Sequence, residues 1–402
     1  MAPLAARAGL ARLSPAVWRI LTHSLLYGLA LSIADLLFNF YLVSLGYAAD
    51  TAGLLSTVGR GAGMLLGVPI GLLIDRVGPQ RAILAGLAAY CGGWALLLQA
   101  RELWALVGAQ FLVGAAYILA ATAVTPLLTG VTSEEDRATV FGLNASAALI
   151  IGLVGSVLGG VLPTLAAGLL GVGPQDTAAY RLALVAVIAL GAAAMLPVLG
   201  ALPVVEEERR VGPVADADRR LPIRRLLRFA VAGLLLGIGG GAILPFQNLF
   251  FRDVFGLGDA AVGVVLAVAS LGMGLGALLG APVTKRTGLR RGAALLRLIA
   301  AFGTLVMLVP ALAPAIAGFF LRGLFVAASF PMNDALVMRL TPPRQRGMAA
   351  SLMSVLWAGG WAGAALVSGA VQIRWGFAPL IVVVALSYVL SALAIVTLPE
   401  GQ

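Results

Sequence analysis

Twelve apolar stretches, each long enough to cross a bilayer, follow one another along this chain. They lie at about 16–43, 51–74, 82–99, 103–128, 139–162, 180–202, 226–251, 259–281, 291–312, 314–338, 348–371 and 376–398. A hydrocarbon core ~30 Å thick needs ~20 apolar residues in a helix, whereas a barrel strand needs only ~10. In lipid every backbone polar group must find its partner within the protein, so stretches of this length are read as helices. Composition agrees, with 61% hydrophobic and 11% charged residues against about 25% charged in a soluble domain.

The charge is placed as well as scarce. The net charge of +10 could indicate nucleic acid, but the basic residues cluster in alternate loops, which excludes that partner. If the N-terminus is inside, 21 of the 27 lysines and arginines fall in inner segments. Only Arg101, Arg181, Arg252 and Arg374 fall outside, and Arg60 and Arg322 lie within spans. This bias predicts both termini in the cytoplasm of a cell whose inner membrane holds the protein. The first stretch exceeds signal-peptide length and is read as a retained helix. The single cysteine, Cys91, excludes an internal disulfide.

The chain repeats itself at an offset of 209–210 residues. Gly46 and Gly53 match Gly256 and Gly263, Asn39 matches Asn248, and Thr132 with Arg137 matches Thr341 with Arg346. Between the copies lies a polar, mixed-charge segment. The expected organisation is a six-helix bundle over 1–202, a cytoplasmic linker over 203–225 and a second bundle over 226–402.

The loop joining the second and third stretches reads Gly71-Leu-Leu-Ile-Asp75-Arg76-Val-Gly78-Pro-Gln-Arg81. A degraded copy, Ala281-Pro-Val-Thr-Lys285-Arg286-Thr-Gly288-Leu-Arg290-Arg291, follows 210 residues on. Gly-x-x-x-Asp-Arg-x-Gly-x-x-Arg resembles the loop signature of the major facilitator superfamily of secondary transporters. That resemblance implies twelve transmembrane helices in two pseudo-symmetric six-helix bundles, with a substrate site between them at the midplane. It also implies a cytoplasmic gate of charged loops, here Gly71, Asp75, Arg76, Gly78, Arg81, Arg137, Arg286, Gly288 and Arg346. Lys285 stands where the signature has aspartate, so the second loop should be wired differently. The family's antiporter motif is also altered, with Ser156 at its proline position. Gln110 occupies the place of the arginine common in proton-coupled relatives.

Ionisable groups inside a bilayer cost a few kcal/mol or more and tend to mark pathways. Four fall in the spans: Asp35, Arg60, Arg322 and Asp334. Asp35 and Arg60 should lie ~10–12 Å deep at one level, at ~1.5 Å rise per residue. They read either as a proton or substrate site or as a structural ion pair. Asn39 shares the face of Asp35. The glycine-rich seventh stretch, broken at Pro245, should present Gln247 and Asn248 to an aqueous gap. Arg322 is suited to an anionic group, Asn333 with Asp334 to titration or an inner gate, and Trp357 with Trp361 to lining a cavity. Glycine stripes at 59, 63, 67, 71 and at 272, 276, 280 suit helices that slide between the halves.

No catalytic, nucleotide-binding or metal-ligating constellation is present, so neither an enzyme nor a cofactor is expected. The partners expected are a small-molecule substrate, the lipid bilayer and protons, for a protein acting as a monomer. Efflux of amphipathic compounds fits a sparsely polar cleft with a carboxylate. Uptake of a sugar or organic acid fits Arg60, Arg322, Asn39 and Asn248, and a transporter-like sensor remains a third reading.

Overall fold

The computed structural model describes residues 13–200, 223–341 and 346–397. Among them helix dominates and no strand occurs. The first half contains α1 (Pro15–Ser44), α2 (Ala49–Val77), α3 (Pro79–Gln99), α4 (Leu103–Gly130), α5 (Glu134–Leu170) and α6 (Thr177–Ala193). The second contains α7 (Ile223–Ile243), α8 (Gln247–Phe255), α9 (Asp259–Thr287), α10 (Leu289–Val306), α11 (Leu312–Leu340), α12 (Arg346–Trp375) and α13 (Ala378–Val396). Of the expected linker, 203–222 lies outside the described residues and 223–225 opens α7.

Eleven of the described spans have the length and hydropathy to cross a membrane. The exception is α10, whose 18 residues include Arg290, Arg291 and Arg297. Its first turn carries two of these, but Arg297 sits two turns in and is fully buried. Arg297, which falls among the inner-segment charges by sequence, is instead a further charged group inside the bundle. Leu65, Val68, Leu169 and Leu278 are largely exposed, as a lipid-facing surface requires.

Local chemistry sets the joints. Ser14 caps α1 through its hydroxyl and Pro15 occupies the first turn, while Ser133 caps α5 ahead of three acidic residues. Gly78 alone links α2 to α3 at φ +86°, and Gly288 alone links α9 to α10 at φ +75°. No other residue adopts that backbone without strain, so the signature glycine makes a one-residue hinge between antiparallel helices. The seventh span breaks where Pro245 cannot continue the ladder. There α7 stops, a 3₁₀ turn covers Leu244–Phe246, and α8 resumes.

The glycine stripes do not lie between the halves. Gly59 and Gly63 of α2 pack on Gln110, Gly114 and Ile118 of α4, inside the first half. Gly272, Gly276 and Gly280 of α9 pack on Phe320, Leu324 and Ala328 of α11, inside the second. They join helices within a bundle, because backbones approach closely only where no Cβ intervenes. Gly67 and Gly71 face open space.

Other glycines mediate contact between the halves, in matched pairs. Gly53 of α2 rests on the Ala365 carbonyl of α12, and Gly263 of α9 rests on the Ser156 carbonyl of α5. Gly369 of α12 meets Ala49 and Asp50, and Gly160 of α5 meets Asp259 and Ala260. Each contact maps onto its partner at the repeat offset, so the two halves meet about a pseudo-twofold. All four lie near one end of the bundle. At the opposite end, which carries the signature loops, the second half keeps a separate core of Ala232, Ala293, Leu296, Ala328, Met332, Leu336, Val337, Ala349 and Ile395.

Candidate functional site

The end of the bundle away from the signature loops is closed by a reciprocal clasp. Asn39 Nδ2 donates to the Pro245 carbonyl (2.5 Å) and to Asn248 Oδ1 (2.9 Å). Asn248 Nδ2 donates back to the Leu36 carbonyl (2.6 Å). Asn39 and Asn248 are 209 residues apart, as are Leu36 and Pro245, so the two outer bonds are copies of one interaction. Both asparagines are buried. Rather than lining an aqueous gap as expected, Asn248 is sequestered between the halves, while Gln247 beside it is half-buried.

A second cross-half bond lies nearby. The Tyr180 hydroxyl of α6 donates to Asp259 Oδ2 of α9 at 2.7 Å, and Arg252 stacks on Phe40 of α1 at 4.3 Å. Phe40, Tyr180 and Arg252 border an open crevice of about 520 Å³ with Ser44, Gln175 and Leu257. Tyr180, Arg252 and Asp259 were not singled out from sequence because each sits at a helix end, where polar residues are ordinary.

Along α2, contact with α12 runs inward from Ala49 through the Thr57 hydroxyl, which donates to the Ala362 carbonyl at 2.7 Å. It reaches Arg60, which lies over the Trp361 ring at 4.4 Å and the Trp357 ring at 5.8 Å. This zone spans about 17 Å at ~1.5 Å per residue. On the other side, α5 meets α9 from Gly160 as far as Gly152 against Ser270. The α5 glycines serve two neighbours: Gly152 and Gly160 face α9, while Gly155 and Gly159 face Ser32 and Leu36 of α1.

Asp35 lies one helical turn inward of Asn39 and is solvent-accessible. It interacts electrostatically with Arg60, but the two do not form an ion pair within 4.0 Å. The structural ion pair considered from sequence is therefore absent in this conformation, and the cation of Arg60 is held by aromatic faces instead. Trp357 and Trp361 have ring centroids 5.3 Å apart. Gly237, Gly240 and Gly241 of α7 leave room for these residues and no more, so the glycine run of α7 accommodates tryptophans.

Arg322 is buried, donates from Nη1 to the Tyr388 hydroxyl (2.7 Å), and lies 5.1 Å from the centre of the Phe319 ring. Asn333 Oδ1 accepts from Nη2 of the buried Arg297 (2.7 Å), whose Nη1 donates to Ser391 Oγ (2.9 Å). Asn333 is thus tied into the core of the second half, while its neighbour Asp334 is exposed. Among the signature loops Asp75, Arg76, Arg81 and Arg286 are exposed, and Gln80 ties the first loop to the Val198 carbonyl at 2.8 Å. Arg137 makes an ion pair with Glu134 (3.6 Å). Arg346 begins α12, but its side chain lies outside those described.

A family model described as Major Facilitator Superfamily matches residues 20–231 and 229–402. The chain belongs to the major facilitator superfamily. Solved structures share the fold at low identity. The nucleoside transporter NupG is 14% identical with a TM-score of 0.71, covering 96% of this chain and 100% of its own. A bacterial homologue of the human lysosomal transporter Spinster, inward-facing and occupied, is 16% identical with a TM-score of 0.70 and covers 94% of both chains. A variant of the E. coli fucose:proton symporter FucP is 17% identical with a TM-score of 0.62, covering 96% of this chain and 98% of its own. No curated protein sequence matches. As a facilitator the chain is a multi-pass membrane protein of a transporter family.

Proposed function

We propose that this facilitator carries a small organic solute across the cytoplasmic membrane by alternating access, coupled to protons and in the export direction. The observation that carries the reading is the pairing of the two halves at the end away from the signature loops. Matched contacts join the halves there and run inward along α2 to Arg60, at whose depth the solvent-accessible Asp35 stands. The lysine and arginine bias supports a cytoplasmic position for the signature loops and both termini, which makes the end closed by the asparagine clasp the outer one. Asp35 is the proton site in this reading: an intramembrane carboxylate near a cation, without a fixed partner, can gain and lose a proton as the cleft changes sides. The sparse polar lining supports an amphipathic solute over a sugar.

The test is solute counterflow in liposomes with purified protein, using a solute found by ligand-dependent thermal shift. Exchange is expected in the wild type. A pH gradient should drive accumulation there but not in Asp35→Asn, which should still exchange. Binding without exchange would favour the sensor reading, and gradient-driven accumulation by Asp35→Asn would remove the proton role.

A further inference from the structure

We propose that Arg60, Trp357 and Trp361 form a receiving ledge for an aromatic carboxylate, the planar ring stacking on indole and the carboxylate paired with the guanidinium. This names a substrate class for the cleft and rests on the transport reading above.

Arg60 is exposed, and among the described residues no protein group accepts a hydrogen bond from it or pairs with it within 4.0 Å. Its guanidinium lies over the two indoles, so aromatic surface covers one face while the N–H edge is unspent. A guanidinium carries five donors in a fixed fork that matches a carboxylate in two parallel bonds. Such charge-assisted pairs are about twice as strong as neutral ones. The ring platform is equally prepared. Trp361 is more than nine-tenths buried, and its Nε1 is buried without a partner. Gly240 leaves no room for the Trp361 ring to shift toward α7, whereas Trp357 is only half-buried. Rigid receptors lose less entropy on binding.

The charge at the ledge selects among solutes. An ammonium compound would meet the like charge of Arg60, and a sugar has no charge to satisfy it. Asp35 does not occupy the fork. Because Arg60 comes from the first half and the tryptophans from the second, a ligand on this ledge touches both halves, as a transported solute must.

The probes are 2-naphthoate, its neutral isostere 2-naphthamide and the saturated, non-planar decahydro-2-naphthoate, titrated into full-length protein in nanodiscs with thermal stability as the readout. Naphthoate should raise the melting temperature saturably, with the amide weaker by about tenfold or more, the scale for a hydrogen bond to a charged group. Arg60→Gln should erase that preference for acid over amide. Trp357→Leu, at the more accessible ring, should erase the preference for the flat acid over the saturated one. If none of the probes binds, if amide and acid bind alike, or if Arg60→Gln binds naphthoate as the wild type does, the inference is overturned. Exchange of some other solute without naphthoate binding would refute the ledge alone. Naphthoate binding that meets all of these criteria without counterflow would instead refute transport and leave the ledge standing.

Discussion

Breaking the asparagine clasp should shift the protein toward its opposite conformation by a calculable amount. Of the three bonds Asn248 makes, two cross between the halves and are deleted in Asn248→Ala, the one donated to the Leu36 carbonyl and the one accepted from Asn39. At about 1 kcal/mol net per bond, the closed end loses about 2 kcal/mol, or a factor of about 30 in the equilibrium. Both asparagines become hydrated when that end opens, so the loss falls on one conformation only. A reporter is available at Ser156, which is buried and whose carbonyl touches Gly263 across the interface. In a Cys91→Ser, Ser156→Cys background, maleimide can reach the thiol only when α5 and α9 part. While the open form is a minority, labelling rate follows its population, so Asn248→Ala should label about 30-fold faster by the same arithmetic. Asn39→Ala should act in the same direction, and the double variant should fall short of the sum, because the two residues share one bond. An unchanged labelling rate in folded Asn248→Ala, or full additivity, would refute the clasp.

Three further outcomes follow from the packing. Gly53→Val places a side chain against the Ala365 carbonyl, and overpacking of this kind costs about 1–3 kcal/mol. It should speed the same maleimide reaction while leaving the size-exclusion profile unchanged. Gly78→Ala imposes a side chain on φ +86°, a strain of order 1–3 kcal/mol, and should lower the melting temperature in detergent. Arg297→Leu should lower it as well, since Asn333 Oδ1 loses its charged donor, at about 1–3 kcal/mol for a stranded group, whereas Ser391 keeps its bond to the Ala232 carbonyl. Arg297→Leu paired with Asn333→Leu should recover part of that loss.

Much of the architecture was legible because lipid is a severe solvent. It forces span length, helix type and charge asymmetry into the sequence, and the repeat offset paired Gly53 with Gly263 as equivalents before any contact was known. What could not be read was which neighbour each glycine faces. The stripe from Gly59 to Gly71 has the same small-residue spacing whether it packs on α4 or α12, because period alone does not name a partner. Arg297 was misplaced for a related reason. Hydropathy treats an arginine near a run of arginines as loop, and only the carbonyl, hydroxyl and amide groups of Ser391 and Asn333 make its burial tolerable. Conversely, Asp35 and Arg60 looked like an ion pair on depth alone, yet the tryptophans of α12, three hundred residues away in sequence, hold the guanidinium.

One difference between the two halves is that the seventh span is broken and the first is not. In α1 the ladder is continuous, so the Leu36 carbonyl must use its second lone pair for Asn248. In the second half Pro245 interrupts the ladder, and Leu249 N–H turns to Asn248 Oδ1 (2.9 Å) instead of bonding the Pro245 carbonyl. That frees the Pro245 carbonyl, which takes Asn39 as its donor. The break thus leaves an acceptor that the closed arrangement satisfies through Asn39, since a freed carbonyl in an apolar bundle is costly without a partner. A break in α7–α8 combined with an unbroken α1 makes the second half the member whose backbone must change partners when the closed end opens. Bending should therefore concentrate at Leu244–Phe246 and not at the matching residues of α1.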